Sequence, residues 1–177
     1  MLNAVLFFAK NTKFCGKTKL FKLLYFADFK HFRETGRSIT GMEYNAWQHG
    51  PYPNEFAKEL VSPPSDLSRT IALVRPSNTS SFTRIQPKAK FNGKYFTKRE
   101  LRILKEVEEV FMEAQAKDIR EASHLKNHPW DITIKTKGER KKIDYMLALD
   151  GAKGSLTPEE VNEIILERKE LLKAFNE

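Results

Sequence analysis

A chain of 177 residues that is 40% hydrophobic and carries 13 Phe can bury a core of its own and is too apolar for disorder. Its single cysteine, Cys15, excludes an internal disulfide and a multi-cysteine zinc site, and fits a reducing cytoplasm. The formal charge of +8 gathers in residues 10–37 (eight basic, two acidic), 84–105 (eight basic, one acidic) and 126–142 (six basic, two acidic), a pattern that suits an acidic protein partner, nucleic acid or a plain solvated face.

The apolar run Leu2–Ala9 has no basic region before it and no small-residue cleavage site after it, so it does not read as an export signal. No window reaches the roughly 18 to 20 apolar residues that span a bilayer, and no membrane partner is expected. Leu2, Val5, Leu6 and Ala9 fall on one stripe and predict a short amphipathic core helix. Between Lys17 and Glu34, Leu20, Leu23, Leu24, Ala27 and His31 keep helical spacing, widened by Phe21, Tyr25 and Phe32. Such a broad apolar face predicts a central helix, with Gly36 as its stop.

A short strand is expected near Glu43–Gln48, then a rigid turn at Gly50-Pro51-Tyr52-Pro53, because each proline biases its predecessor out of the helical region. Asn54–Leu60 reads as a short helix ended by Ser62-Pro63-Pro64. The turn-rich segment from Pro63 to Ser81 is interrupted by Ile71–Val74, a candidate strand. Phe82–Phe91 is another, and Asn92-Gly93 signals a hairpin into Lys94-Tyr95-Phe96. Thr97-Lys98-Arg99-Glu100 is a capping box for a helix expected to bury Leu101, Leu104, Val107, Val110, Phe111 and Ala114. A helix around Ile119–His124, an elbow at His128-Pro129-Trp130 and a helix over Ile143–Leu149 follow. Thr157-Pro158-Glu159-Glu160 opens the last helix, with Val161, Ile164, Ile165, Leu171, Leu172 and Phe175 as its apolar residues. The expected fold class is mainly α (α+β): a single compact helical domain over residues 1–177 with a small antiparallel β-sheet or hairpin.

The chemistry of catalysis is thin. Gly16-Lys17-Thr18 lacks the glycine of a phosphate loop five residues earlier, where Asn11 stands. His124 and His128 have i, i+4 spacing, but Pro129 interrupts the helix and no acidic residue completes a zinc motif. Cys15 sits near a helix start that could lower its pKa, yet no base or oxyanion donor can be assigned to it. Asn78-Thr79-Ser80 is a glycosylation sequon without meaning in a cytoplasmic protein. Neither enzyme activity, cofactor nor metal is expected. Lys88, Lys90, Lys94, Lys98, Arg99 and Arg102 interleave with Phe91, Tyr95 and Phe96, a composition used to stack single-stranded bases. Rings alternating at a hairpin are more often core.

Lys22-Leu23-Leu24-Tyr25-Phe26-Ala27-Asp28, then Gly41, Tyr44 and Trp47, then His49-Gly50-Pro51 with Pro53, resemble the SocA-like antitoxin family, whose domain is called Panacea. Ser123-His124 and Pro129-Trp130 extend the likeness, so that it covers about Leu2 to Phe175. His49 stands where the family usually has Tyr. The resemblance implies a cytoplasmic antitoxin of a bacterial or phage toxin–antitoxin pair, a class tied to phage defence, neutralising a nearby-encoded protein toxin by direct contact. At least one relative acts instead as a protease adaptor for its toxin. A basic nucleic-acid-binding regulator is the remaining alternative.

Among the motif residues, Leu23, Leu24 and Tyr25 are expected in the core, and Gly50 and Pro51 in a rigid turn. Trp47, His49, His124 and Trp130 complete the motif set. Asp28 is expected either buried, hydrogen-bonded to backbone or a basic residue near His124 or Trp130, or exposed on the outer face. Candidate toxin contacts, chosen for charge and exposure, are Lys30, Arg33, Arg37, Gln48, Tyr52, Lys94, Lys98, Arg99 and Arg102.

Overall fold

The computed structural model describes residues 1–76 and 82–175; the Asn78-Thr79-Ser80 sequon lies outside them. The architecture is mainly α with a small β component, arranged around one helix. That helix, α2 (Lys17–Thr35), follows α1 (Leu2–Asn11) and ends at Gly36, whose φ of +69° supplies the left-handed cap. Leu20, Leu23, Leu24 and Ala27 are fully buried, as the stripe predicts. Packed against α2 are α1, α5 (Lys98–Phe111), α6 (Ala116–Ser123), the strand β2 (Gly50–Tyr52) and a 3-10 turn at Tyr145–Ala148.

β2 pairs antiparallel with β1 (Asn45–Trp47), in the register Asn45 to Tyr52 and Trp47 to Gly50. The chain therefore turns at Gln48-His49, and Gly50-Pro51-Tyr52, expected as the turn, is the second strand. α3 (Asn54–Glu59) and α4 (Ser65–Thr70) follow. α4 was hidden in a turn-rich segment, where Thr70 Oγ1 donates to Asp66 O at 2.6 Å. β3 (Ile71–Val74) pairs antiparallel with β4 (Arg84–Pro87). β4 is shorter than the Phe82–Phe91 run because Pro87 offers no amide to the ladder, and the Lys88 amide turns to Thr70 O at 2.8 Å.

Asn92-Gly93 makes no hairpin. Asn92 Oδ1 accepts from the Lys94 amide at 3.0 Å, opening a 3-10 turn over Gly93–Tyr95. The wider turn lets the Phe91 and Phe96 rings stack 5.9 Å apart, with Phe91 edge-on to Phe7 at 5.5 Å. Burial of two rings outweighs the local hairpin preference.

The Thr97 capping box forms with both reciprocal bonds, Thr97 N to Glu100 Oε2 at 2.6 Å and Glu100 N to Thr97 Oγ1 at 3.2 Å. The buried face of α5 is Ile103, Leu104 and Val107; Leu101, Phe111 and Ala114 are half-buried and Val110 is 71% exposed. The expected stripe was thus rotated: Val110 faces out and Ile103 in. Pro129 is no elbow but the first residue of α7 (Pro129–Lys137), where a missing amide costs nothing. Only the 3-10 turn at Tyr145–Ala148 forms within Ile143–Leu149, and the Tyr145 ring there stacks on Phe29 at 4.3 Å.

α8 (Pro158–Ala174) also opens on a complete capping box. It is attached by its first two turns: the Leu156 amide donates to Arg33 O at 2.8 Å, and Val161 and Ile164 close over Gly36. Beyond them Ile165, Leu171, Leu172 and Phe175, named as its apolar residues, are exposed.

Candidate functional site

Segments far apart in sequence converge around one buried lysine. Lys22 on α2 is 2% exposed, and its Nζ donates to Pro51 O at 2.7 Å. Opposite lies Gly50, with φ +95°; a β-carbon there would stand 2.7 Å from Ser123 Oγ, 2.9 Å from Lys22 Cε and 3.0 Å from His124 Nε2. The His124 ring lies flat on Trp130, 3.8 Å between centroids and 8° from parallel. Trp130 Nε1 donates to Trp47 O at 2.9 Å, and Trp47 Nε1 to Asn54 Oδ1 at 3.1 Å. The structure therefore brings Trp47, Gly50, Pro51, His124 and Trp130 together.

The electrostatics of this centre are one-sided. Burial pushes the Lys22 ammonium down to about 7, and Arg120 pushes the same way. The His124 imidazole is likewise lowered, first by burial and then by Lys22, Arg120 and His49. Its Nε2 is buried without a hydrogen-bond partner. His49 itself is exposed at the hairpin tip. Leu23 and Leu24 are plain core, and Tyr25 is buried against Phe29 and Tyr44.

Asp28 is fully buried but lies elsewhere. Its Oδ1 accepts from the Thr40 amide at 2.8 Å, and its Oδ2 from Thr40 Oγ1 and from Tyr44 OH at 2.8 Å. Among the described residues, backbone and hydroxyl groups hold it, with no basic residue bonded to it and neither His124 nor Trp130 among its partners. Burial raises its pKa, opposed by these bonds.

The candidate toxin contacts separate into distinct places, and several are not free. Lys30 and Arg33 sit at the rim of an apolar groove of about 350 Å³ between α2, α5 and α7, floored by Phe26, Phe29 and Phe111. They are partly buried and paired with Glu106 at 2.7 Å and Asp150 at 2.8 Å. Arg102 bridges Glu34 and Glu106. Tyr52 is half-buried, edge-on to Phe21 and tilted on Trp47. Charge read from sequence does not reveal these pairings. Arg37, Lys98 and Arg99 line an open hollow of about 650 Å³ that also holds Glu100 and Glu167. Gln48 and Lys94 are exposed.

Lys22 was named from sequence only as the first residue of the motif, without a role, and Arg120 was not named at all. A signal for Lys22 existed: Lys19, Lys22, Tyr25 and Phe29 repeat at helical spacing on a face that is otherwise aromatic. Arg120 carried no such mark. Around Lys94–Arg102 the base-stacking pattern dissolves, because Phe91 and Phe96 turn inward and Tyr95 alone is well exposed. Cys15 is buried, and burial pushes its thiol up to about 11, the reverse of an activated nucleophile. Among the described residues no group of three His, Cys, Asp or Glu side chains is placed to hold a metal ion, and no helix is long and apolar enough to cross a membrane.

Residues 20–131 match the family model described as antitoxin SocA-like, Panacea domain. No curated protein and no solved structure gives a significant match.

Proposed function

The chain belongs to the SocA-like antitoxin family, the Panacea domain, and we propose that it is the antitoxin of a bacterial or phage toxin–antitoxin pair, neutralising a cognate protein toxin in the cytoplasm by direct contact and without catalysis. The family match over residues 20–131 carries this reading. The matched segment contains α2, the hairpin, α5, α6 and the start of α7, the elements whose motif residues interlock around Lys22. Those residues hold the hairpin against the helices, and that is what a binding scaffold needs.

The test is co-expression with the product of the adjacent reading frame. The neighbour should arrest growth alone and be harmless beside this chain, and the two should co-purify. A neighbour whose toxicity is unchanged by this chain would sink the proposal. Toxin level during rescue separates two routes: a constant level means blocking, and a falling level that needs a host protease means delivery for degradation.

A further inference from the structure

We propose that the tip of the β1–β2 hairpin, through His49 and the adjoining Arg120, is the surface on which an acidic side chain of the toxin docks; the assignment rests on the antitoxin reading. The argument begins with an imbalance of charge. Lys22 from α2, His49 from the hairpin turn, and Arg120 and His124 from α6 and its cap meet in one place, and each charge that bears on His124 is positive. None of the four takes part in an ion pair among the described residues. At the rim of the apolar groove, by contrast, the cations are paired, Lys30 with Glu106 and Arg33 with Asp150. The carboxylates nearest in sequence are engaged: Glu121 faces Lys117, and Asp131 accepts from Lys135 and the Asn127 amide.

The cluster cannot relax by moving apart. His124 is pinned flat on Trp130, Lys22 is tethered to Pro51 O, and Gly50 admits both only because it lacks a β-carbon. The strain is relieved by giving up protons instead, since the Lys22 ammonium and the His124 imidazole are both pushed down, and His124 Nε2 is left as a buried polar atom without a partner. An anion reaching exposed His49 and part-exposed Arg120 faces the Arg120 guanidinium and favours the protonated forms of the groups beneath. Arg140, 5.1 Å over the Trp47 ring, adds a further cation to the same hairpin.

A protein carboxylate fits better than a nucleic-acid strand. Strand binding needs a track of phosphate contacts and free ring faces. Here the basic side chains form one compact knot, and Trp47 and Trp130 are engaged by Tyr52, Asn54 and His124.

The experiment compares wild type, His49→Glu/Arg120→Glu and the control Lys153→Glu/Lys169→Glu, two exposed positions outside the matched segment, using the product of the adjacent reading frame as probe. Growth rescue, calorimetric affinity and Tm are read together. Wild type and control should rescue, and the hairpin-tip variant should lose rescue and about tenfold or more in affinity at unchanged Tm. Wild-type affinity from the hairpin-tip variant overturns the docking assignment while leaving the antitoxin reading intact. A wild-type chain that fails to rescue overturns the antitoxin reading and the assignment with it. Should the double variant melt early, Arg120→Gln replaces it, with a smaller loss of affinity expected; no loss overturns the assignment. A gel shift of single-stranded DNA that the hairpin-tip variant abolishes hands the cluster to phosphate and overturns it too.

Discussion

Gly50 joins two constraints at one position. Its φ of +95° disfavours any β-carbon, and the space such an atom would fill is already taken by Ser123, Lys22 and His124. Gly50→Ala should lose about 2–4 kcal/mol in urea unfolding, beyond the cost of backbone strain alone. Lys22 gives a second test at this scale. Below pH 7 its amine is charged in both folded and unfolded chains, so the burial penalty acts in full. Between about 7 and the ordinary lysine value of 10.5 the unfolded chain binds the extra proton, and stability rises with pH. Wild type should therefore gain stability between pH 7 and pH 9.5 by up to about 1.4 kcal/mol per pH unit from this group, and Lys22→Met should flatten that rise. Equal slopes in the two proteins would show that Lys22 is not the source. Asp28→Asn places an amide against the Thr40 amide and two hydroxyls, and should cost about 2–4 kcal/mol by the same assay.

At the scale of elements, what could be read in advance follows the local chemistry. α2, α5 and α8 were legible because their ends carry their own signals: Gly36 in the left-handed region, and capping boxes at Thr97 and Thr157. Thr97→Ala should cost about 1 kcal/mol and fray the first turn of α5, visible as faster amide exchange there. The hairpin expected at Asn92-Gly93 failed because its flanking rings had a better use against Phe7, a contact 84 residues away in sequence that no local rule sees. Val110 failed for a related reason, and the exposed distal half of α8 shows it too: an apolar stripe shows which face can be buried, not whether anything lies opposite. The site was half legible. Its motif residues could be named, but the charge imbalance they create required Lys22 and Arg120 to be seen together. α8, outside the matched segment and held through Val161 and Ile164, makes a further test. Ending the chain after Leu156 should leave the remaining helices intact by circular dichroism and cost about 1.5–3 kcal/mol, the value of one buried aliphatic side chain.

For the molecule as a whole, α2 serves as the common support. Its buried polar side chains each reach a different stretch of chain. Lys19 Nζ donates to Lys13 O at 2.7 Å and Ala114 O at 2.6 Å, Lys22 to Pro51 O, Asp28 accepts from Thr40 and Tyr44, and His31 Nδ1 meets Arg37 O at 2.6 Å. Lys19→Met should speed amide exchange where α5 passes into α6 while the Thr40 amide stays protected, and Asp28→Asn should do the reverse. Uniform acceleration in either variant would contradict the scheme. The consequence is insulation. These joining segments are tied to α2 through separate side chains, so a substitution that breaks one tie leaves the other ties made. A change confined to the exposed Gln48-His49 tip touches none of these ties, so the loop at Thr40 and the α5–α6 joint should keep their shape.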